Sequence, residues 1–303
     1  MDNLVKVRVH APSGTIILQR PDKRNAMTRL MMLQIRQAFD DLHQERKVRA
    51  VILTGAGTAF CAGVDLAEIH ATLRTDDALE QWQRDTIQLK QLYETMLQFP
   101  KPIIAAVNGP ALGPGAGLVL ASDIVLGTPD AQFGLPEPRR GLVAGIVSPL
   151  LAFRVGAGLA AKVLLSAQLI SAEEALQRGI YHQIVPFDQA WAAAHEQANQ
   201  CAQSSPEAIQ LTKRMLNETI GEYLGTLLST GAAVAATAHT TEAAEEGLAA
   251  FVEKRVFGVA LGTNTKYCDI KVLRDGQYIA CDPSELKVDS YFRWDGISQS
   301  NKG

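Results

Sequence analysis

The sequence predicts an α/β protein in which a mostly parallel sheet is followed by a helical layer. Three observations carry this expectation. Dense apolar runs at 48–53, 103–107 and 123–126 are long enough for strands and have no polar face, as strands covered on both sides require. Helical patterns separate these runs, and such alternation implies crossover connections and parallel pairing. Beyond residue 126 the apolar spacing becomes almost wholly helical.

The elements follow in order. Residues 4–9 and 15–19 alternate with period two around Pro12-Ser13-Gly14 and read as a hairpin. A helix follows RPDKRNAM, with Leu30, Leu33, Ile35, Ala38, Phe39 and Leu42 on its apolar face. The strand at 48–53 ends in the small-residue turn Thr54-Gly55-Ala56-Gly57. A long helix over 76–98 stops at the prolines flanking Lys101, and the strand 103–107 leads into NGPALGPGAG. Helices are expected at 145–165, 171–178, 188–203, 206–220, 222–238 and 241–256, with Ser171 and Glu174 spaced as a capping box. From about 258 the Ala-rich helical character gives way to β-like runs around Arg274-Asp275-Gly276, read as an appended hairpin. The expected division is therefore 1–257, with a core over about 1–200 and a helical part from 201, and a tail over 258–303.

Composition narrows the function. The chain has 303 residues, 47% of them hydrophobic, and a formal net charge of −3, which gives no electrostatic case for nucleic acid. Cys61, Cys201, Cys268 and Cys281 are scattered without zinc or redox spacing, so neither a metal nor a disulfide framework is expected. The N-terminus lacks a signal-like apolar region and no uncharged apolar run is long enough to span a bilayer, so a soluble, cytoplasmic protein is expected.

Three stretches could carry chemistry. TGAGTAFCAGVD (54–65) is a strand-to-helix turn whose amides could face a ligand, but Phe60 stands where a dinucleotide fingerprint needs its third glycine, which disfavours NAD-dependent oxidoreduction. NGPALGPGAG (108–117) opens a helix without the Lys-Ser/Thr of a phosphate loop. FGLPEPRRG (133–141) holds Glu137 between two prolines, which restrict where a candidate acid-base carboxylate can point. Cys61 reads as a small buried hydrophobe, and Trp82 and Trp191 as helix packing.

Together these pieces resemble the crotonase, or enoyl-CoA hydratase/isomerase, superfamily. RPDKRNAMT (20–28), AFCAGVDL (59–66), NGPALGPGAGLVLASD (108–123), FGLPEP (133–138), LISAEEALQRGIYHQIVP (169–186) and EEGLAAFVEKR (245–255) occur in the family's order. The resemblance implies a spiral of ββα units and an acyl-CoA thioester substrate, with CoA entering as part of the substrate and no separate cofactor. It places one oxyanion donor on Val64. The second falls on Pro114, within Gly113-Pro114-Gly115, where no N–H exists, so that Gly115 or Gly113 must supply it or one donor is lost. The family's two hydratase glutamates correspond to Gly117 and Glu137, and the bare Gly117 favours double-bond isomerisation by Glu137 over hydration. Lys23, Arg24, Ala62, Gly63, Asp65 and Leu66 fall on the family's CoA approach. Phe251 and Lys254 match residues reaching a neighbouring subunit's CoA, with 201–257 as the trimerisation part of a homotrimer or hexamer. An acyl-CoA-binding paralogue with little catalysis stands as the alternative.

Overall fold

The computed structural model describes residues 3–219 and 221–253, and the strand residues 277–282 and 285–290. The chain divides into two compact units, Met1–Phe257 and Gly258–Gly303.

The first unit begins with β1 (Val5–His10) and β2 (Ser13–Leu18), an antiparallel hairpin. Ser13 and Gly14, expected in its turn, belong instead to β2, and only Ala11 and Pro12 connect the strands. Gly14 stays a glycine for space, since a Cβ there would run into the side chain of Leu42. Helix α1 (Arg29–Gln44) starts where Thr28 accepts the amide of Met31, and its buried face carries Met31, Met32, Ile35, Ala38, Phe39 and Leu42. Then come β3 (Ala50–Gly55), α2 (Leu66–Thr72), α3 (Ala78–Gln98), β4 (Ile103–Val107), β5 (Ala111–Leu112) and α4 (Pro114–Leu120). They are followed by β6 (Ile124–Gly127), β7 (Gln132–Gly134), α5 (Val147–Val155), α6 (Ala157–Ser166), β8 (Leu169–Ser171), α7 (Ala172–Gln177) and β9 (Gln183–Ile184). The helical remainder is α8 (Ala190–Ala202), α9 (Pro206–Arg214), α10 (Leu224–Ala238) and α11 (Glu242–Val252).

Two sheets organise these elements. The larger runs β1-β2-β3-β4-β6-β9, parallel from β2 onward, and the smaller runs β5-β7-β8. Each turn of the chain contributes one strand to each sheet and then a helix: β4, β5, α4, and next β6, β7, α5. This is the predicted ββα spiral. All five residues of β4 are buried, as expected for a strand covered on both faces.

Two helical expectations need correction. The single segment over 145–165 is two helices, because Gly156 adopts φ 79° between α5 and α6. The segment over 206–220 leaves α-geometry after Arg214 for a π-turn over Met215–Thr219. The capping box does form, with Ser171 Oγ accepting the Glu174 amide at 3.2 Å.

In the second unit β10 (Gln277–Asp282) and β11 (Glu285–Ser290) pair antiparallel. The connection between these two strands follows Asp282, and the turn expected at 274–276 lies outside the described residues. The run QYIACD is the first of these two strands.

Candidate active site

Backbone geometry sets the first wall. Met27 N–H donates to Gly63 C=O at 2.7 Å and Asp65 N–H donates to Met27 C=O at 2.9 Å, a parallel bridge centred on Met27 and Val64. In such a bridge the flanking groups face the partner, so the N–H of Val64 points the other way. It donates to no acceptor among the described residues. Gly63 permits the bend with φ 104°, which a side chain would resist. On the other side Cys61 is bridged to Ala111 of β5.

Two buried asparagines fix the turn that delivers this segment. Asn25 Nδ2 donates to Ala56 and Ala59 carbonyls at 2.9 and 2.8 Å, and its Oδ1 accepts the Arg20 amide at 2.8 Å. Asn108 Oδ1 accepts the Gly55 amide at 3.0 Å while its Nδ2 donates to Gly57 C=O at 2.9 Å.

The second wall is the start of α4. Gly113 caps it at φ 52° and ψ −124°, and Pro114 takes the first helical position, where its missing N–H disrupts no helical bond. Gly113 N–H is committed to Gly134 C=O at 2.9 Å, which removes it as an alternative donor. Gly115 packs against Cys61 so tightly that a Cβ would strike its carbonyl. Pro114, and not Gly115 or Gly117, faces the cavity described next.

Gly117 has its own neighbour. A Cβ built on it would collide with the phenol end of Tyr93, whose hydroxyl donates to Pro114 C=O at 2.8 Å. Tyr93 is fully buried, and burial raises its pKa well above the usual phenol range, so it stays protonated.

A cavity of about 90 Å³ brings Val64, Pro114 and Glu137 together. Its lining includes the apolar side chains of Met27, Met32, Leu89 and Ile146 together with Trp82 and His239. Glu137 opens a short 3₁₀ turn over Glu137–Arg140, and its Oε2 is shielded from solvent without a hydrogen-bond partner. Burial pushes its pKa from 4.5 to about 7, against weaker lowering by its own amide and by Arg140. The competition left open by the sequence between desolvation and the two arginines thus goes to desolvation. The carboxylate leans over the cap of α4, since a Cβ on Gly113 would lie 2.8 Å from Glu137 Oε1.

The remaining candidates are placed differently. Asp65 caps α2, accepting the Ala67 and Glu68 amides at 3.1 and 3.4 Å, and pairs with Arg20 at 3.0 Å. It also reaches the cavity wall. Leu66 packs beside Ile69 and Trp82. Lys23 and Arg24 are exposed, and Arg24 C=O accepts the Ala62 amide at 3.0 Å, tying the basic segment to the stretch that holds Val64. Phe251 is half-exposed with the Arg140 guanidinium 5.4 Å above its ring, and both line a second cavity of about 340 Å³ with Arg139 and Leu112. Lys254 lies outside the described residues. Cys61 is buried with its pKa raised to about 12, so its thiol is inert. Among the described residues no group of acidic, His or Cys side chains could hold a metal, and no helix is long and apolar enough to cross a membrane.

Comparison with known proteins decides the family. The enoyl-CoA hydratase/isomerase family model matches residues 12–259. The chain belongs to that family. It is 38% identical over 242 residues to a putative enoyl-CoA hydratase of Thermus thermophilus, covering 80% of this chain and 95% of that one. It is 33% identical to the 2,3-dehydroadipyl-CoA hydratase of Escherichia coli, covering 79% and 92%. Among solved structures, an enoyl-CoA hydratase/isomerase from Xanthobacter autotrophicus Py2 superposes with a TM-score of 0.75 at 30% identity, covering 84% of this chain and 93% of that one. One from Mycobacterium paratuberculosis gives 0.75 at 27% identity, covering 82% and 98%. This crotonase-family enzyme thus has the fold its motifs implied.

The sequence reading did not bring Tyr93, His239 or the Arg29–Asp85 pair to the site, and it took Trp82 for helix packing. Tyr93 and Trp82 lie on the buried face of α3, where their spacing is that of ordinary core residues. His239 follows α10, and Arg29 reaches Asp85 across 56 positions of sequence. No local signal marks such encounters.

Proposed function

We propose that this enzyme binds a CoA thioester, stabilises the enolate formed from it, and moves a carbon–carbon double bond with Glu137 as sole acid and base. The observation that carries this reading is the pairing of a buried Glu137 carboxylate, whose Oε2 has no hydrogen-bond partner, with a bare Gly117 whose side-chain space is filled by Tyr93. Water addition divides its work between two carboxylates in this family, whereas migration needs one. The thioester oxygen would accept the free Val64 N–H. Glu137 would remove a proton from the carbon beside the thioester, the electron pair passing into the carbonyl to give a dienolate. The same proton would then return two carbons along, and collapse of the enolate leaves the shifted double bond. Atoms balance within the substrate and no redox partner is needed.

The names of the curated relatives favour a second reading, hydration, in which Glu137 activates water alone. Purified enzyme offered a 3-enoyl-CoA and a 2-enoyl-CoA distinguishes the two. Migration faster than hydration is expected. Faster hydration overturns the proposal, and binding without turnover of either identifies a thioester-binding paralogue. Lys23, Arg24 and Phe251 are the proposed contacts for the CoA phosphates and adenine. Leu211, Met215, Leu216, Tyr223 and Leu227 are exposed apolar side chains of the helical part, and they support a homotrimer or hexamer, testable by sedimentation.

A further inference from the structure

The wall of the cavity is not apolar throughout. Trp82 is 4% exposed, belongs to the cavity wall, and its indole Nε1 is buried with no hydrogen-bond partner. Buried indole N–H groups ordinarily find an acceptor. Beside it, the His239 ring stacks on Trp82 with centroids 5.5 Å apart. His239 Nδ1 lies 2.6 Å from the Ala235 carbonyl, which can only accept, so Nδ1 carries the proton. Burial lowers the His239 pKa, keeping the ring neutral and leaving Nε2 as an acceptor. Nε2 has no partner among the described residues. Two stacked rings of the cavity wall, Trp82 and His239, therefore carry a donor and an acceptor without partners among the described residues.

The charges there select among ligands. Arg29 is held by Asp85 through two bonds of 2.7 Å and donates to Thr72 at 2.8 Å, while Glu68 accepts the Arg29 amide at 3.0 Å. Arg29, Asp85 and Glu68 all reach the cavity wall; one cation stands against two carboxylates, so an anionic chain end meets net repulsion. A neutral carbonyl would satisfy Trp82 but not His239. A hydroxyl does both: its oxygen accepts from the indole N–H and its proton goes to Nε2.

The geometry points to an acyl-CoA whose acyl group carries a hydroxyl at its far end, held between Trp82 and His239. This rests on the acyl-CoA reading above and narrows it to a hydroxylated substrate class.

The test compares saturated CoA thioesters of equal chain length ending in methyl, hydroxyl or carboxylate, by calorimetric titration of the wild-type enzyme. Binding at least ten-fold tighter for the hydroxyl form than for either other form is expected. Trp82→Phe, which keeps the ring and removes the N–H, should collapse the hydroxyl-to-methyl ratio to within about two-fold. Equal binding of all three, preference for the carboxylate or methyl form, or a ratio that survives Trp82→Phe overturns the inference. Should Trp82→Phe fold poorly, the wild-type series decides alone. Because the ligands are saturated, loss of this selectivity is distinct from failure of the isomerase proposal, which is read from turnover of enoyl thioesters; a chain that binds no thioester refutes both.

Discussion

The hydroxyl of Tyr93 stands where a side chain on Gly117 would begin, and it is anchored there by a 2.8 Å bond to the carbonyl of Pro114. The absence of a second glutamate is thus built into the packing. Gly117→Glu alone should lower stability by about 3 kcal/mol, since it overpacks a core and buries a carboxyl. Tyr93→Ala alone should cost roughly 3–5 kcal/mol as a buried aromatic truncated to a cavity. The double variant should be less destabilised than the sum, by about 1–3 kcal/mol of coupling. Denaturant midpoints of the four proteins measure this. The double variant should also raise hydration relative to migration.

Glu137→Gln should reduce turnover by roughly 10²- to 10⁴-fold while stabilising the fold above neutrality. The native carboxyl keeps its proton up to about pH 7, whereas the unfolded chain releases it near 4.5. Its contribution is therefore fully present below 4.5 and is lost as pH rises through 7, a difference of about 3 kcal/mol. Wild-type stability should fall relative to the Gln variant between these values and run parallel beyond them. Thermal unfolding across pH reports the slope.

As a base, Glu137 must be ionised, so kcat/KM should rise with a midpoint near pH 7. Arg140 is a charge that opposes the upward shift. Arg140→Gln should move the midpoint higher, and a downward or absent movement in the pH profile would contradict this placement.

Pro114→Ala keeps a Cβ and adds the missing N–H. One oxyanion donor is worth roughly 3 kcal/mol, so kcat should rise by ten-fold or more. Stability should drop by about 0.5–1 kcal/mol, because proline restrains the unfolded chain at a position that suits it. Unchanged kcat would mean that a neighbouring amide already serves.

Lys213, 6% exposed, donates to Asp123 at 2.7 Å, and Asp123 also accepts the Ile103 amide at 2.8 Å at the start of β4. Lys213→Ala strands that carboxylate and should cost about 3–5 kcal/mol, seen as a lower denaturant midpoint.

Much of the spiral was legible because α1 carries a strong helical period and β4 an unbroken apolar run, and β4 has the predicted bounds, Ile103–Val107. Glu137 stood out because two prolines fix its backbone. The competition over its charge was not legible, since burial depends on elements far away in sequence. Trp82 shows the limit most clearly. Its helical spacing announces a core residue, which it is, yet only the folded chain reveals that its indole N–H meets no acceptor. The break at Gly156 was similarly hidden, as apolar residues continue on both sides.

Asn25 and Asn108 stitch the loop before Val64 with amide groups that bear no charge at any ordinary acidity. These side-chain bonds therefore do not themselves titrate: acidity alters the charge on Glu137, while the amide stitches before Val64 keep the same form.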